Sequence, residues 1–330
     1  MRSKLQPALT VASLIAPLAA APSPVALAAA QPVRTGGQPF ACASPASLRP
    51  RPGTVSVSAT LRFGGVQAIF RGVTASSPGV GLDGFRQPGL TVTAPGGRAR
   101  SVPLRPPWGF SVVPGAVQLM SLTNGVAGSP FCVARFGSPS PEYAVLVGAY
   151  SGGAHCCTWV AAYVAAPRAV ASTKPIWLEI GNPGVQLRAY QAKTLLVTAD
   201  NSFAYTFDSY AGSGMPVRVM ELRGDKFVST TRAYPALVAA DAHFWWVQYK
   251  HVSAPKGEEP NGGLGLLAAW AADECLLGRS ANAWATVAQL ERQGRLSGGT
   301  SPWPKGAAYV RALHSFLAKQ GYCPEEVHRS

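Results

Sequence analysis

The chain contains no Cys-x-x-Cys pair, no His-Gly segment ahead of a candidate nucleophile, and, between residues 31 and 141, no lysine and one acid, Asp83. Each absence excludes something. Without cysteines separated by two residues, the usual structural zinc site and a thioredoxin-type redox centre lose their signature. Without the His-Gly segment, the oxyanion half of a lipase-like arrangement has no visible source. Charge is sparse at 13% of 330 residues and leans one way, with 29 Lys and Arg against 15 Asp and Glu for a formal net charge of +14. An unbroken apolar run long enough for a membrane anchor is missing as well. No charge falls between Lys4 and Arg34, yet Pro7, Pro17, Pro22 and Pro24 interrupt the helix an anchor needs.

What is present at the amino terminus reads as an address. Arg2 and Lys4 precede an Ala/Leu/Val-rich stretch ending in Ala26-Leu27-Ala28-Ala29-Ala30, the pattern of a secretory signal peptide over residues 1–30 cleaved near Ala28 or Ala30. The mature chain is predicted to be soluble, not membrane-spanning, and periplasmic or secreted. All six cysteines lie in it, and an even count in an oxidising compartment reads as disulfides. Cys275 with Cys323 is the favoured pair, worth about 3 to 4 kcal/mol by loop entropy. Cys42 with Cys132 would leave Cys156 and Cys157 to bond each other; alternatively each of those neighbours pairs with Cys42 or Cys132. Spacing leaves both arrangements open.

The 35 glycines and 29 prolines exceed what a helical protein carries. Periodicity changes character near Pro235. Before it run short strand-like segments: Thr54 to Phe63, Val66 to Arg71, Leu90 to Thr93, Val117 to Leu122, Tyr143 to Tyr150, Thr158 to Val164, Ile176 to Ile180, Leu195 to Thr198, Phe203 to Phe207, Val217 to Leu222 and Phe227 to Thr230. Their spacing predicts a β-rich domain over 31–235, an antiparallel sandwich or partial propeller. After Pro235 the period becomes helical, with helices expected at 236–250, 264–277, 281–293 and 306–320, forming an α-helical C-terminal unit over 236–330. Ser280 is a candidate helix start and Gly278 and Gly321 candidate stops. Within His243-Phe244-Trp245-Trp246, Phe244 and Val247 are expected to face the body, with Trp245 and Tyr249 on a neighbouring face.

Residues 31–141 hold ten arginines, a balance suited to an anionic envelope component, with another envelope protein as the alternative partner. Arg34, Arg62, Arg71, Arg86 and Arg135 stand singly, without the interleaved aromatics of a nucleic-acid platform, so no specific nucleic acid is expected.

The segment Ser151-Gly152-Gly153-Ala154-His155-Cys156-Cys157 is the most distinctive. As a nucleophile elbow, Ala149-Tyr150-Ser151-Gly152-Gly153 would make Ser151 attack an ester, with His314 or His251 as base and Asp273 or Asp241 orienting it. That reading needs a helix over 154–166, whereas Thr158-Trp159-Val160 and Tyr163-Val164 favour a strand. Adjacent His155, Cys156 and Cys157 converge poorly on one ion. The leading expectation is scaffolding: Gly152 and Gly153 make a tight turn and the cysteines brace a hairpin. No metal and no cofactor are expected, and the function is read as binding or structural, with a serine esterase using Ser151 as the alternative.

That segment, with the run from Ala199 to Gly214 and with Pro216-Val217, resembles a group of uncharacterised secreted bacterial proteins distantly like integrin-type FG-GAP propeller proteins. The resemblance spans about residues 142–235 and implies export and a β-rich body. Relatives in that group often carry Asp-Gly-Asp-Gly-type loops where this chain reads Ser138-Pro139-Ser140-Pro141-Glu142 and Tyr190-Gln191-Ala192-Lys193-Thr194. The carboxylates a calcium site needs are missing there, which leaves Asp200 and Asp208 as turn-bracing residues or a weak ion site.

Overall fold

Alternation and local pairing assemble most of the described residues up to Ala199 into antiparallel sheet. The computed structural model describes residues 38–50, 52–76, 83–105, 116–123, 128–137, 142–153, 156–165, 174–252, 263–297 and 302–323. Residues 1–30, where a signal peptide is expected, lie outside the described residues, as do Ala154, His155 and the Cys156 side chain. The strands are β1 Phe40–Cys42, β2 Ser56–Phe63, β3 Val66–Ser76, β4 Asp83–Thr93, β5 Ala99–Pro103, β6 Ala116–Leu119, β7 Phe131–Phe136, β8 Glu142–Gly153, β9 Cys156–Val164, β10 Ile176–Gly181, β11 Gln186–Tyr190, β12 Lys193–Ala199, β13 Val217–Arg223 and β14 Lys226–Ser229. Four helices follow: α1 Pro235–Val252, α2 Leu264–Leu276, α3 Ser280–Arg292 and α4 Gly306–Lys319.

Among the described residues, β1 to β10 form one ten-stranded sheet and β11 to β14 a second, antiparallel one. Two long strands organise the first. β4 pairs with β3 along one edge and with β5 and β6, end to end, along the other; β8 likewise pairs with β9 on one edge and with β7 and β6 on the other. Because β6 bridges β4 to β8 while β2 lies against β1 and β7, the sheet curls into a nearly closed barrel. Its interior holds Val57, Ala59, Phe70, Leu90, Phe131, Val145 and Tyr163. Neither a sandwich nor propeller blades describe this curl.

The opposite side of β7 to β9 is equally apolar. Leu146, Ala134, Val160 and Ala162 pack there against Leu187, Leu196, Met220 and Leu222 of the second sheet. The other face of that sheet, with Leu195, Val197 and Val219, meets Tyr234 and Val238 at the start of α1. Barrel, second sheet and helices therefore stack in sequence, and β7 and β8 are buried on both faces. The helices enclose their own core around α2, which also takes in Phe203 and Phe207.

Phe203 to Phe207, expected as a strand, is instead a short 3-10 turn at Asn201–Phe203 followed by irregular chain. Both phenylalanines point the same way, onto Phe316, Tyr309 and Tyr322 of the helical layer, and residues four apart do so in a turn where the intervening ones need not alternate. On α1 the body-facing residues are Val238, Ala242, Trp245 and Tyr249, while Val247 is 38% exposed. The correction has a polar cause: the Trp245 indole donates to Asp241 one turn earlier at 2.9 Å, which sets the face. Ser280 is the first helical residue of α3 and caps nothing. Gly278 and Gly321 do close α2 and α4 with φ of 75° each, the left-handed conformation that glycine adopts without penalty.

Cys42 and Cys132 form a disulfide across the β1–β7 pair, and Cys275 and Cys323 join the end of α2 to the chain just past α4. Cys157 is also disulfide-bonded and so offers no thiolate to a metal or an oxidant.

Candidate functional site

Ser151 sits near the end of β8, 7% exposed, and its Oγ accepts the Cys157 backbone N–H at 2.8 Å. Residues 156–164 continue as strand rather than helix, so the strand–turn–helix context of an elbow is replaced by a hairpin. The Ser151 hydroxyl braces that hairpin. His314 lies on the exposed side of α4 with its ring 4.8 Å from that of Trp284, and His251 is exposed at the end of α1. Asp273 is fully buried in α2. No hydrogen bond joins Ser151, His314 and Asp273 among the described residues.

What the fold does bring together is Asp241 and Asp273. Asp241 Oδ2 accepts the Val217 N–H at 2.7 Å and the Trp245 indole N–H at 2.9 Å. Among the described residues Asp273 has no hydrogen-bond partner; its carboxyl lies near enough to Asp241 for the two charges to act on each other. Burial pushes Asp273 well above the ordinary carboxylate range and the Asp241 charge adds to it, while Asp241 is itself raised by burial. Burial and each other's charge oppose ionisation of both carboxyls together. Asp241 ties α1 to the start of β13, and the two carboxyls are buried, 7% and 0% exposed.

A second polar cluster surrounds Glu221. Lys193 donates to it at 2.9 Å, the Tyr234 hydroxyl at 2.5 Å and the Thr230 hydroxyl at 3.2 Å. Burial raises its carboxyl, but the Tyr234 and Lys193 hydrogen bonds outweigh that and hold it below the usual range. The cluster is an ion pair locking β12 to β13 and to the turn ahead of α1.

Asp200 braces a turn: it accepts the Ser202 N–H at 3.0 Å and the Tyr322 hydroxyl at 2.8 Å. Asp208 accepts the Ser209 N–H at 2.7 Å. Among the described residues no three His, Cys, Asp or Glu side chains group as a metal site. Asp200 does line a cleft of about 790 Å³ with Glu179, Ser202, Arg218, Arg232 and Tyr322. The Arg232 guanidinium donates to the carbonyls of Cys275, Leu276, Gly321 and Tyr322 at 2.7 to 3.4 Å, clamping the ends of α2 and α4 beside their disulfide. Neither arginine carries a sequence signal, because these partners lie 43 to 90 residues away from Arg232.

The third feature is the outer face of β2 to β5. Register places Ser58 opposite Arg71, Thr60 opposite Ile69, and Arg62 opposite Gln67; on the far side Val73 faces Arg86 and Ile69 faces Thr91, which faces Ser101. Cross-strand partners share a face, so Arg62, Arg71 and Arg86 stand on one surface, all exposed. Arg62 and Arg71 are four residues apart along adjacent strands, roughly 13 Å, and Arg71 and Arg86 roughly 8 Å. The floor between them is hydroxyl-rich, with Arg71 donating to Thr91 at 3.2 Å and Thr91 bonded to Ser101 at 2.8 Å. No acid occupies this face among the described residues.

No family model matches the chain, and no solved structure does. The chain is similar to two curated proteins. An uncharacterized protein, y4bJ, of Sinorhizobium fredii is 28% identical over 190 residues, covering 57% of this chain and 28% of that protein. A probable thylakoid lumen protein, sll0997, of Synechocystis is 26% identical over 208 residues, covering 56% of this chain and 57% of that protein. The chain thus spans 28% and 57% of the lengths of the curated relatives it matches.

Proposed function

We propose that this is an exported, periplasmic or secreted protein that acts without chemistry of its own, by docking on an anionic component of the cell envelope. The observation that carries this reading is the outer face of β2 to β5, where Arg62, Arg71 and Arg86 share one hydroxyl-lined surface free of described carboxylates. An extended anionic polymer or headgroup layer is matched by cations spaced over the outside of a barrel wall, whereas a small ligand needs concavity. Export is supported by the disulfides and by the similarity to a probable thylakoid lumen protein.

Arginines near an anionic surface contribute about 1 kcal/mol each. Replacing Arg62, Arg71 and Arg86 together by glutamine is therefore expected to weaken binding to lipopolysaccharide about a hundredfold at low salt. Wild-type binding should itself fall steeply as salt rises. Equal affinity of variant and wild type, measured by light scattering or surface plasmon resonance, would overturn the assignment. Ser151→Ala is expected to leave any turnover of a p-nitrophenyl ester by the purified protein unchanged. Turnover abolished by that substitution would establish the esterase instead.

A further inference from the structure

The cleft of about 790 Å³ lies on a different part of the molecule from the arginine face, and its volume is that of a small-ligand site. Its walls come from the end of β10, the 200–202 turn, the start of β13, the 229–233 turn and the chain past α4. Two of its cations and carboxylates are already engaged: Arg232 with four carbonyls, Asp200 with Ser202 and Tyr322. Two are not. Arg218 is half-buried on the wall and makes no ion pair among the described residues, and Glu179, exposed, makes none either. The Ser202 Oγ is sheltered from solvent without a hydrogen-bond partner. The Arg218 guanidinium keeps its donors accessible on the cleft wall, where an anionic group could take them up.

The charges narrow the chemistry. A phosphate dianion would gain Arg218 but meet Asp200 and Glu179 in the same cleft. A carboxylate fits the planar guanidinium fork with a single negative charge, and an ammonium group on the same ligand would complement Glu179. We propose that the cleft binds a short zwitterionic peptide, its terminal carboxylate on Arg218 and its amino end toward Glu179.

Calorimetric titration of the mature, disulfide-intact protein with trialanine, trialanine amide, N-acetyl-trialanine and inorganic phosphate tests this. Trialanine is expected to bind, its amide at least tenfold more weakly, and phosphate more weakly still. Arg218→Gln should lose at least tenfold for trialanine while binding the amide as wild type does. Glu179→Gln should weaken trialanine but leave N-acetyl-trialanine unaffected. No trialanine binding, equal binding of acid and amide, or phosphate binding tighter than trialanine would each overturn the proposal. The comparison of acid with amide uses wild-type protein alone, so it stands even if a variant misfolds. Lipopolysaccharide binding is a separate readout, so failure here leaves the arginine face untouched.

Discussion

Cys275→Ser with Cys323→Ser is expected to lower the unfolding free energy by about 4 kcal/mol, because the bridge closes a loop of 48 residues in the unfolded chain. Native geometry modulates that figure. The same two chain ends are held a second time by Arg232, which donates to the carbonyls of Cys275, Leu276, Gly321 and Tyr322. With the bridge gone, that clamp keeps the native state assembled, so the loss should show as a lower urea midpoint with helicity intact below the transition. Adding Arg232→Ala to the double variant should then cost more than Arg232→Ala costs in the wild type, since neighbours that secure one junction are not additive. A loss below about 1 kcal/mol for the serine pair would show that the unfolded chain is already constrained there.

Asp241→Ala is expected to cost about 3 kcal/mol, since two buried donors lose their partner at once. Those are the Val217 N–H and the Trp245 indole N–H. Asp273→Asn is expected to act in the opposite direction at neutral pH. Both carboxyls are raised by burial in the folded protein, so the folded state holds protons that the unfolded state releases above its ordinary carboxylate range. That contribution to stability is complete at acid pH and is lost as pH rises toward the raised folded values, by about 1.4 kcal/mol per pH unit per proton retained. Asparagine offers Asp241 a permanent donor and removes the titration. Urea midpoints from pH 4 to pH 8 should therefore fall less in Asp273→Asn than in the wild type; parallel curves would rule out a proton held on Asp273.

Strands and helices that bury one face were legible in the sequence because their period is visible. Val57 and Ala59 alternate with exposed Ser58 and Thr60, and Leu313 and Leu317 recur at helical spacing with Val310 beside them. Where both faces are buried the period vanishes. β7 reads Phe-Cys-Val-Ala-Arg-Phe with hardly a polar residue to mark alternation, and it went unread although it lies at the centre of the stack. β5 failed for the opposite reason: four of its five residues are exposed, so an edge strand looked like a loop. Phe203 to Phe207 carried strand composition, yet the helical layer offered those two rings a larger apolar surface than any sheet edge did, and packing overrode propensity.

Composition alone determined the positive balance and the scarcity of acid in the first third, since charge needs no fold to be counted. Which arginines act together was decided by strand register, because only pairing across β2, β3 and β4 puts Arg62, Arg71 and Arg86 on one face. The burial of Asp241 beside Asp273 and the cleft around Arg218 belong wholly to the tertiary structure. Their members are separated by tens of residues and meet only after sheet and helices have stacked, where exclusion of water turns ordinary side chains into groups that must find partners.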